Sequence, residues 1–295
     1  MPTQDSKSYA GPLAAILATI LWGGAYVAMK TALKSFHPMT MIFLLLVVSS
    51  ITFLFFWPAL RSKQHYTKGD WRIFLVLVLC EPCLYFIFEG YALDNTSASQ
   101  AGMLSATLPI FVGVFGYFLL KEKLSVVAWA GCLVAIAGAI WLSLAAEVNE
   151  HAPNPMLGNS LQIGGMIFAA LYAICVRRLS SGYTPMFITA VQAWAGLIFF
   201  FPTLIIPGMG LPEGGASYAA WFSIVYLGLG VSFGAYSLYS FSISRMAAAR
   251  ASMYMNLIPV FTLIFGMIIL GERLTATQCL ASALVLGGVI ISQKS

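Results

Sequence analysis

"LPIFVGVFGYFLLKEKL", residues 108–124, returns 150 positions later as "IPVFTLIFGMIILGERL", residues 258–274. Identical residues recur at the same offset from Ala98, Ala101, Met103, Phe115, Gly116, Gly138 and Ile140. Earlier in each half, His37-Pro38-Met39 matches Thr184-Pro185-Met186 and Lys30 matches Arg177, both at an offset of 147. A three-residue difference in length between the halves reconciles the two registers. Self-similarity at a fixed period decides architecture before any single motif does. The chain therefore reads as two repeats, 1–150 and 151–295.

The surroundings of that repeat fix the fold class. The 295 residues are 60% hydrophobic and 8% charged, with mean hydropathy +0.88, whereas a soluble domain is about a quarter charged. A membrane helix needs roughly 20 apolar residues to cross about 30 Å of hydrocarbon. Ten runs fit: 11–30, 38–59, 71–93, 97–119, 125–146, 156–178, 184–206, 218–241, 246–270 and 274–293. They are continuously apolar and about twice the length of a barrel strand, which would be about ten residues long and alternate. The expected fold is an all-α membrane protein of ten transmembrane helices. The first run ends at Lys30 without a small-residue cleavage pattern, so it reads as a retained span rather than a signal peptide.

Orientation follows from the cations. With the amino terminus in the cytoplasm, one side collects Lys7, Arg61, Lys63, Lys68, Arg72, Lys121, Lys123, Arg177, Arg178, Arg245, Arg250 and Lys294, and the other holds Lys30, Lys34 and Arg273. The positive-inside rule then places both termini in the cytoplasm, with Trp71 and Trp221 near span ends. This bias accounts for the net charge of +5, so no nucleic-acid partner is inferred. Five spans per repeat is an odd number, so the second repeat enters the membrane inverted. Such inverted repeats place a site near the midplane where the halves meet.

"LWGGAYVAMK" at 21–30, the block at 92–124 and its echo at 243–274 resemble the duplicated EamA module of the drug/metabolite transporter superfamily. The resemblance covers nearly the whole chain. One departure is Lys121-Glu122-Lys123 in the first repeat, where the second has Gly271-Glu272-Arg273. The resemblance implies a bacterial inner-membrane carrier of small metabolites, often an exporter of amino acids or related compounds. Small multidrug-type relatives use a first-span glutamate; span one here has none, so that coupling chemistry does not carry over.

The residues themselves point to a site. "LCEPCLYFIFEG", 79–90, puts a glutamate before a proline inside an apolar run. Glu81 lies nine residues past Arg72, about 13 to 14 Å along a helix and so near the midplane. A charge at that depth costs on the order of 2.5 to 3.5 kcal/mol and usually faces a bundle interior or wet cavity. Glu81, Tyr85, Phe88 and Glu89 follow one helical face, with Glu89 expected nearer the outer surface. Glu81 is read as binding a cationic amine or carrying a coupled proton; the alternative is a neutral acid bonded to a neighbouring helix, with Pro82 merely bending the span.

Other inward stripes are Trp22, Tyr26 and Lys30; Ser232, Tyr236 and Tyr239; and Ser252, Asn256 and Pro259. Gln162 and Gln192 add polar groups within spans six and seven. An aromatic lining with a few hydroxyl and amide groups suits an amphipathic or aromatic small molecule. Pro109 and Pro259, equivalent across the repeats, each remove a backbone bond and are expected hinges, either moving or static. Cys80 and Cys83 lack further ligands for zinc and read as small buried residues. Neither metal nor cofactor is expected. Gly131, Ala135, Gly138, Ala281, Gly287 and Gly288 give spans five and ten small faces, for packing within the bundle or for a homodimer.

The basic residues sit at span ends or in loops, which disfavours phosphorylated cargo. An intramembrane enzyme lacks its site elements: there is no H-E-x-x-H, no G-x-S-G and no pair of midplane aspartates. No filter loop or charged ring marks a channel. The leading reading is a transporter that exports bulky or aromatic amino acids or related compounds by alternating access. A carrier of drugs or other metabolites, or a receptor that binds without moving its ligand, is the alternative.

Overall fold

The computed structural model describes residues 9–60, 64–120, 125–246, 251 and 254–292. Several residues used above lie outside them: Lys7, Arg61, Lys63, Lys121, Glu122, Lys123, Arg250, Ser252 and Lys294. Among the described residues there is no strand. Eight helices among those residues are long and apolar enough to cross a membrane: α1 (Ala10–Ala32), α2 (Pro38–Phe55), α3 (Asp70–Asn95), α4 (Ala98–Leu119), α5 (Val126–Leu144), α6 (Pro155–Leu179), α7 (Pro185–Leu204) and α8 (Tyr218–Arg245). Two shorter apolar helices follow, α9 (Met255–Leu270) and α10 (Ala276–Ser292). Each lies within or overlaps one of the ten apolar runs.

The repeated signals have local physical jobs. His37-Pro38 and Thr184-Pro185 both start helices, the side chain of the first residue accepting from Met39 N–H (3.2 Å) or Phe187 N–H (3.4 Å). The proline follows at a position whose N–H would have no helical partner. Gly23 and Gly24 of α1 let other helices approach closely: a Cβ at Gly23 would lie 2.4 Å from Phe261 Cβ, and one at Gly24 2.5 Å from the Tyr226 hydroxyl. That hydroxyl donates to the Leu21 carbonyl at 2.8 Å.

The bundle is apolar outside and partly polar inside. Leu13, Leu54, Phe55, Leu133, Ile198, Phe222 and Ile268 are exposed, while Thr40, Ser49, Asn159, Gln162 and Gln192 are buried. Exposed apolar area on this scale marks an interaction surface; around a ring of membrane-length helices that surface faces lipid. α5 and α10 pack closely on each other through Gly131, Ala135, Gly138 and Gly288. Those small faces are thus used inside one chain.

Both ends of the bundle carry bonds between the repeats. At one end, His65 N–H donates to the Gly182 carbonyl (2.7 Å). Gln64 Nε2 donates to Thr184 Oγ1 (3.0 Å), Thr184 N–H donates back to Gln64 Oε1 (3.0 Å), and the Tyr183 hydroxyl donates to Asp70 (3.1 Å). At the other end, within the first repeat, Lys30 Nζ donates to the carbonyls of Leu93 (2.5 Å) and Thr96 (2.9 Å), where α3 finishes. Lys30 thus shares a helix with Trp22 and Tyr26 but serves the end of α3. The Glu272 carboxylate accepts from the N–H groups of Ala98 (2.9 Å) and Ser99 (2.8 Å), where α4 begins. A cation meets a helix C-terminus and an anion an N-terminus, each the favourable sign for the helix dipole. Thr96 Oγ1 donates to Asn159 Oδ1 (2.7 Å), bringing α6 into the same junction.

The Gly-Glu-Arg-Leu signature therefore contributes a helix cap across the repeats. Glu272→Ala strands two buried donors, at a cost of about 2 kcal/mol or more. The melting temperature of the purified protein in detergent should fall clearly, and fall less for Glu272→Gln, which keeps one acceptor oxygen. An alanine variant melting with the wild type would remove this role.

Candidate functional site

The site begins with a break in α3. Its helix runs regularly through Val78, loosens across Leu79–Leu84 and resumes at Tyr85. Glu81 is extended (φ −148°, ψ 120°), the backbone region to which a following proline drives its predecessor. The Glu81–Pro82 peptide is cis. Pro82 fits because Gly196 of α7 has no side chain: a Cβ there would lie 2.4 Å from Pro82 Cγ. The break gives the Glu81 side chain a direction unlike that of a regular helical residue, toward α8, where the Tyr236 hydroxyl donates to its carboxylate.

One turn beyond the break, the Tyr85 hydroxyl donates to Glu89. Glu81 and Glu89 line the same cavity of about 70 Å³, and both are buried, at 2% and 8% exposure. Glu81, Tyr85 and Glu89 of the expected stripe thus all face one internal cavity. Phe88, expected on that stripe, instead packs on α6, its ring against Gly164 and 5.3 Å from that of Phe168. Tyr85, Phe88 and Glu89 belong to one regular segment, and Phe88, one residue and so about 100° around the helix from Glu89, lies at the edge of the stripe that α6 covers.

The walls come from α1–α4, α6, α8 and α9. Trp22 meets Tyr236 and Tyr239 edge-on at 5.3 and 5.2 Å between centroids, and Tyr172 meets Tyr236 at 6.0 Å. Such edge-to-face pairs are favourable and hold ring directions. Gln162 Nε2 donates to the Tyr26 hydroxyl at 3.4 Å. Of the sequence-predicted residues, Trp22, Tyr26, Glu81, Tyr85, Glu89, Ser232, Tyr236 and Tyr239 line the cavity together. Gln192 stands behind the wall, accepting from Tyr172 at 3.0 Å. Asn256 lies outside the lining, which α9 supplies through Met255 and Ile258.

Sequence reading missed Tyr172 and Phe86 as wall residues. Met166, Ala169 and Ala173 repeat at helical spacing from Gln162, and Tyr172 borders that face; extending the stripe from Gln162 would have found it. Phe86 stands three residues before Glu89 on the regular segment after the break, so extending the stripe back from Glu89 would have included it. The two equivalent prolines both mark interruptions. In α4 the helix breaks at Ala106-Thr107 and restarts at Leu108, next to Pro109. In α9 a tight turn, Met255–Leu257, precedes Ile258 and Pro259. Leu108 and Ile258 border the cavity. No group of three or more His, Cys, Asp or Glu side chains capable of holding a metal occurs among the described residues.

A buried carboxylate among aromatic faces is a site for positive charge, since ring faces attract cations and the carboxylate supplies the counter-charge. A membrane bundle with such a cavity and a duplicated sequence narrows the family, and the EamA-like transporter family matches residues 9–144 and again 156–293. The chain belongs to the EamA-like transporter family. It is a multi-pass membrane transporter of the drug/metabolite type.

Two Bacillus subtilis proteins bearing the name "Uncharacterized transporter" are among the relatives of this EamA-type chain. YetK is 24% identical over 84% of this chain and 75% of its own. YcxC is 23% identical over 97% and 93%. A "Probable terminal-alkyne amino-acid exporter" of Streptantibioticus cattleyicolor is 22% identical over 95% of this chain and 92% of its own. One crystal structure of a protein 19% identical in sequence superposes with a TM-score of 0.69, covering 97% of this chain and 96% of that one; the likeness is one of fold.

Proposed function

We propose that this EamA-type transporter exports small aromatic or bulky amine-bearing metabolites, amino acids or related compounds, across the bacterial inner membrane by alternating access. On this reading the chain crosses ten times, with both termini cytoplasmic and the repeats 1–150 and 151–295 inverted. The observation that carries the proposal is the Glu81 carboxylate, buried in an aromatic cavity and held by Tyr236. The amino-acid exporter among the relatives supports the cargo class.

Alternating access is supported by bonds that tie the repeats at both ends of the small cavity. Opening one side means releasing either the Gln64–Thr184 and His65–Gly182 bonds or the bonds from Ala98 and Ser99 to Glu272 and from Thr96 to Asn159. The interruptions beside Pro109 and Pro259 offer bending points, because a proline leaves the carbonyl one turn earlier without its helical donor. At Glu81 an ammonium and a proton compete for one carboxylate. Release of the amine on the outer side, where a proton takes its place on the carboxylate and is carried inward to be released as the next amine binds, would couple export to an inward proton gradient.

The test is transport by purified protein in liposomes, using labelled phenylalanine and phenethylamine with and without an imposed pH gradient. Saturable movement of at least one compound, accelerated by a gradient of the correct sign, is expected. Movement equal to that in protein-free vesicles for both compounds would defeat the proposal.

A further inference from the structure

The charge pattern of the cavity specifies more than an amine, and the inference rests on the central cavity being the cargo site. We propose that its preferred cargo is an arylalkyl ammonium compound without a free carboxylate, an amine or an ester rather than the corresponding amino acid. Three observations carry this.

First, the cavity presents two carboxylates, Glu81 and Glu89, and no Lys, Arg or His among its described lining residues. A zwitterionic amino acid would place a third carboxylate beside them without a cationic partner, and burying an unpaired charge is costly. Second, Lys30, the buried basic side chain among the described residues, is committed elsewhere: it does not line the cavity, and it donates to the carbonyls of Leu93 and Thr96.

Third, the helix starts bordering the cavity are poor anion sites. An interrupted membrane helix holds a carboxylate through free N–H groups at its start. In α4 the N–H groups of Ala106, Thr107 and Ile110 already donate to Met103, Leu104 and Thr107 and Pro109 has none, which leaves at most the single N–H of Leu108 rather than the cluster that holds a carboxylate. In α9 the Ile258 N–H donates to Met255 and Pro259 has none. What remains for a ligand is a ring-faced compartment with acceptors. The Tyr239 hydroxyl, buried and without a hydrogen-bond partner, adds one more group able to accept from an ammonium. The aromatic part of the cargo would lie among Trp22, Tyr236 and Tyr239, and its ammonium between the two glutamates.

Calorimetric titration of the purified full chain in detergent separates the cases with four probes that share one ring: phenethylamine, phenylalanine methyl ester, phenylalanine and 3-phenylpropionate. The amine and the ester are expected to bind at least about tenfold more tightly than phenylalanine, with no measurable binding of 3-phenylpropionate. Glu81→Gln and Glu89→Gln should each weaken phenethylamine about tenfold or more at an unchanged melting temperature. The comparison of ester with amino acid needs only the wild-type protein, so it stands even where a variant fails to fold. Phenylalanine binding as tightly as its ester would overturn this inference while leaving an amine-binding cavity in place. Absence of binding by all four probes to monodisperse wild-type protein would overturn the cavity as the cargo site, and with it both readings.

Discussion

Glu81→Gln is expected to reduce gradient-driven transport at least about a hundredfold, since stranding one partner of a buried charge pair costs about 3 to 5 kcal/mol. Glutamine has nearly the same shape, and its amide oxygen still accepts the Tyr236 hydroxyl, so the wall keeps its geometry. What it loses is the negative charge that binds an ammonium and the site that a proton occupies in exchange. The imposed pH gradient should no longer accelerate whatever movement persists. Tyr236→Phe makes the complementary change: the carboxylate stays and loses its fixed donor. That variant should keep gradient coupling with a rate lower by about tenfold, the usual worth of a hydrogen bond to a charged group. Both are read in liposomes against wild type, with the melting temperature as a check on folding. Full transport with an unchanged pH response in Glu81→Gln would make Glu81 a structural acid that joins α3 to α8.

The contrast between Glu81 and Glu89 shows how far the sequence could be read. Helical spacing placed both glutamates with Tyr85 on one face, and all three reach the cavity. It failed on Phe88 and omitted Phe86: both share the regular segment after the break with Tyr85 and Glu89, at opposite edges of their stripe, and only the neighbouring helices decide which edge faces the cavity. Burial depends on which neighbouring helices cover a position, which spacing along one helix does not encode. The repeat performed better, since equivalent residues meet equivalent local needs: His37-Pro38 and Thr184-Pro185 start helices, and Pro109 and Pro259 mark interruptions. Lys30 and Glu272 were visible as charges near span ends, but their partners are backbone groups at the start and finish of other helices. Pairs of that kind leave no complementary side chain in the sequence to find.

The same dependence on neighbours yields the second large effect, at adjacent glycines of α10. A Cβ at Gly288 would lie 2.3 Å from the backbone nitrogen of Ala135 and 2.7 Å from its Cα. Backbone cannot turn aside as a side chain can, so α5 and α10 would have to separate, and across the interface the same closeness recurs: a Cβ at Gly131 would lie 2.2 Å from Ser292 N and one at Gly138 2.7 Å from Val285 N. Overpacking of a tight core costs about 1 to 3 kcal/mol and more where backbone must move. In a membrane, where close contact between small faces is a principal source of helix association, little else would restore this pair. Gly288→Val is therefore expected to abolish recovery of monodisperse protein, or to lower its melting temperature more than any cavity variant does. At Gly287 an added Cβ meets nothing within 4 Å, so Gly287→Val, the same substitution one residue away, should express and melt like the wild type. Equal tolerance at the two positions would mean that α5 and α10 do not pack in this register, because only their contact tells the two glycines apart.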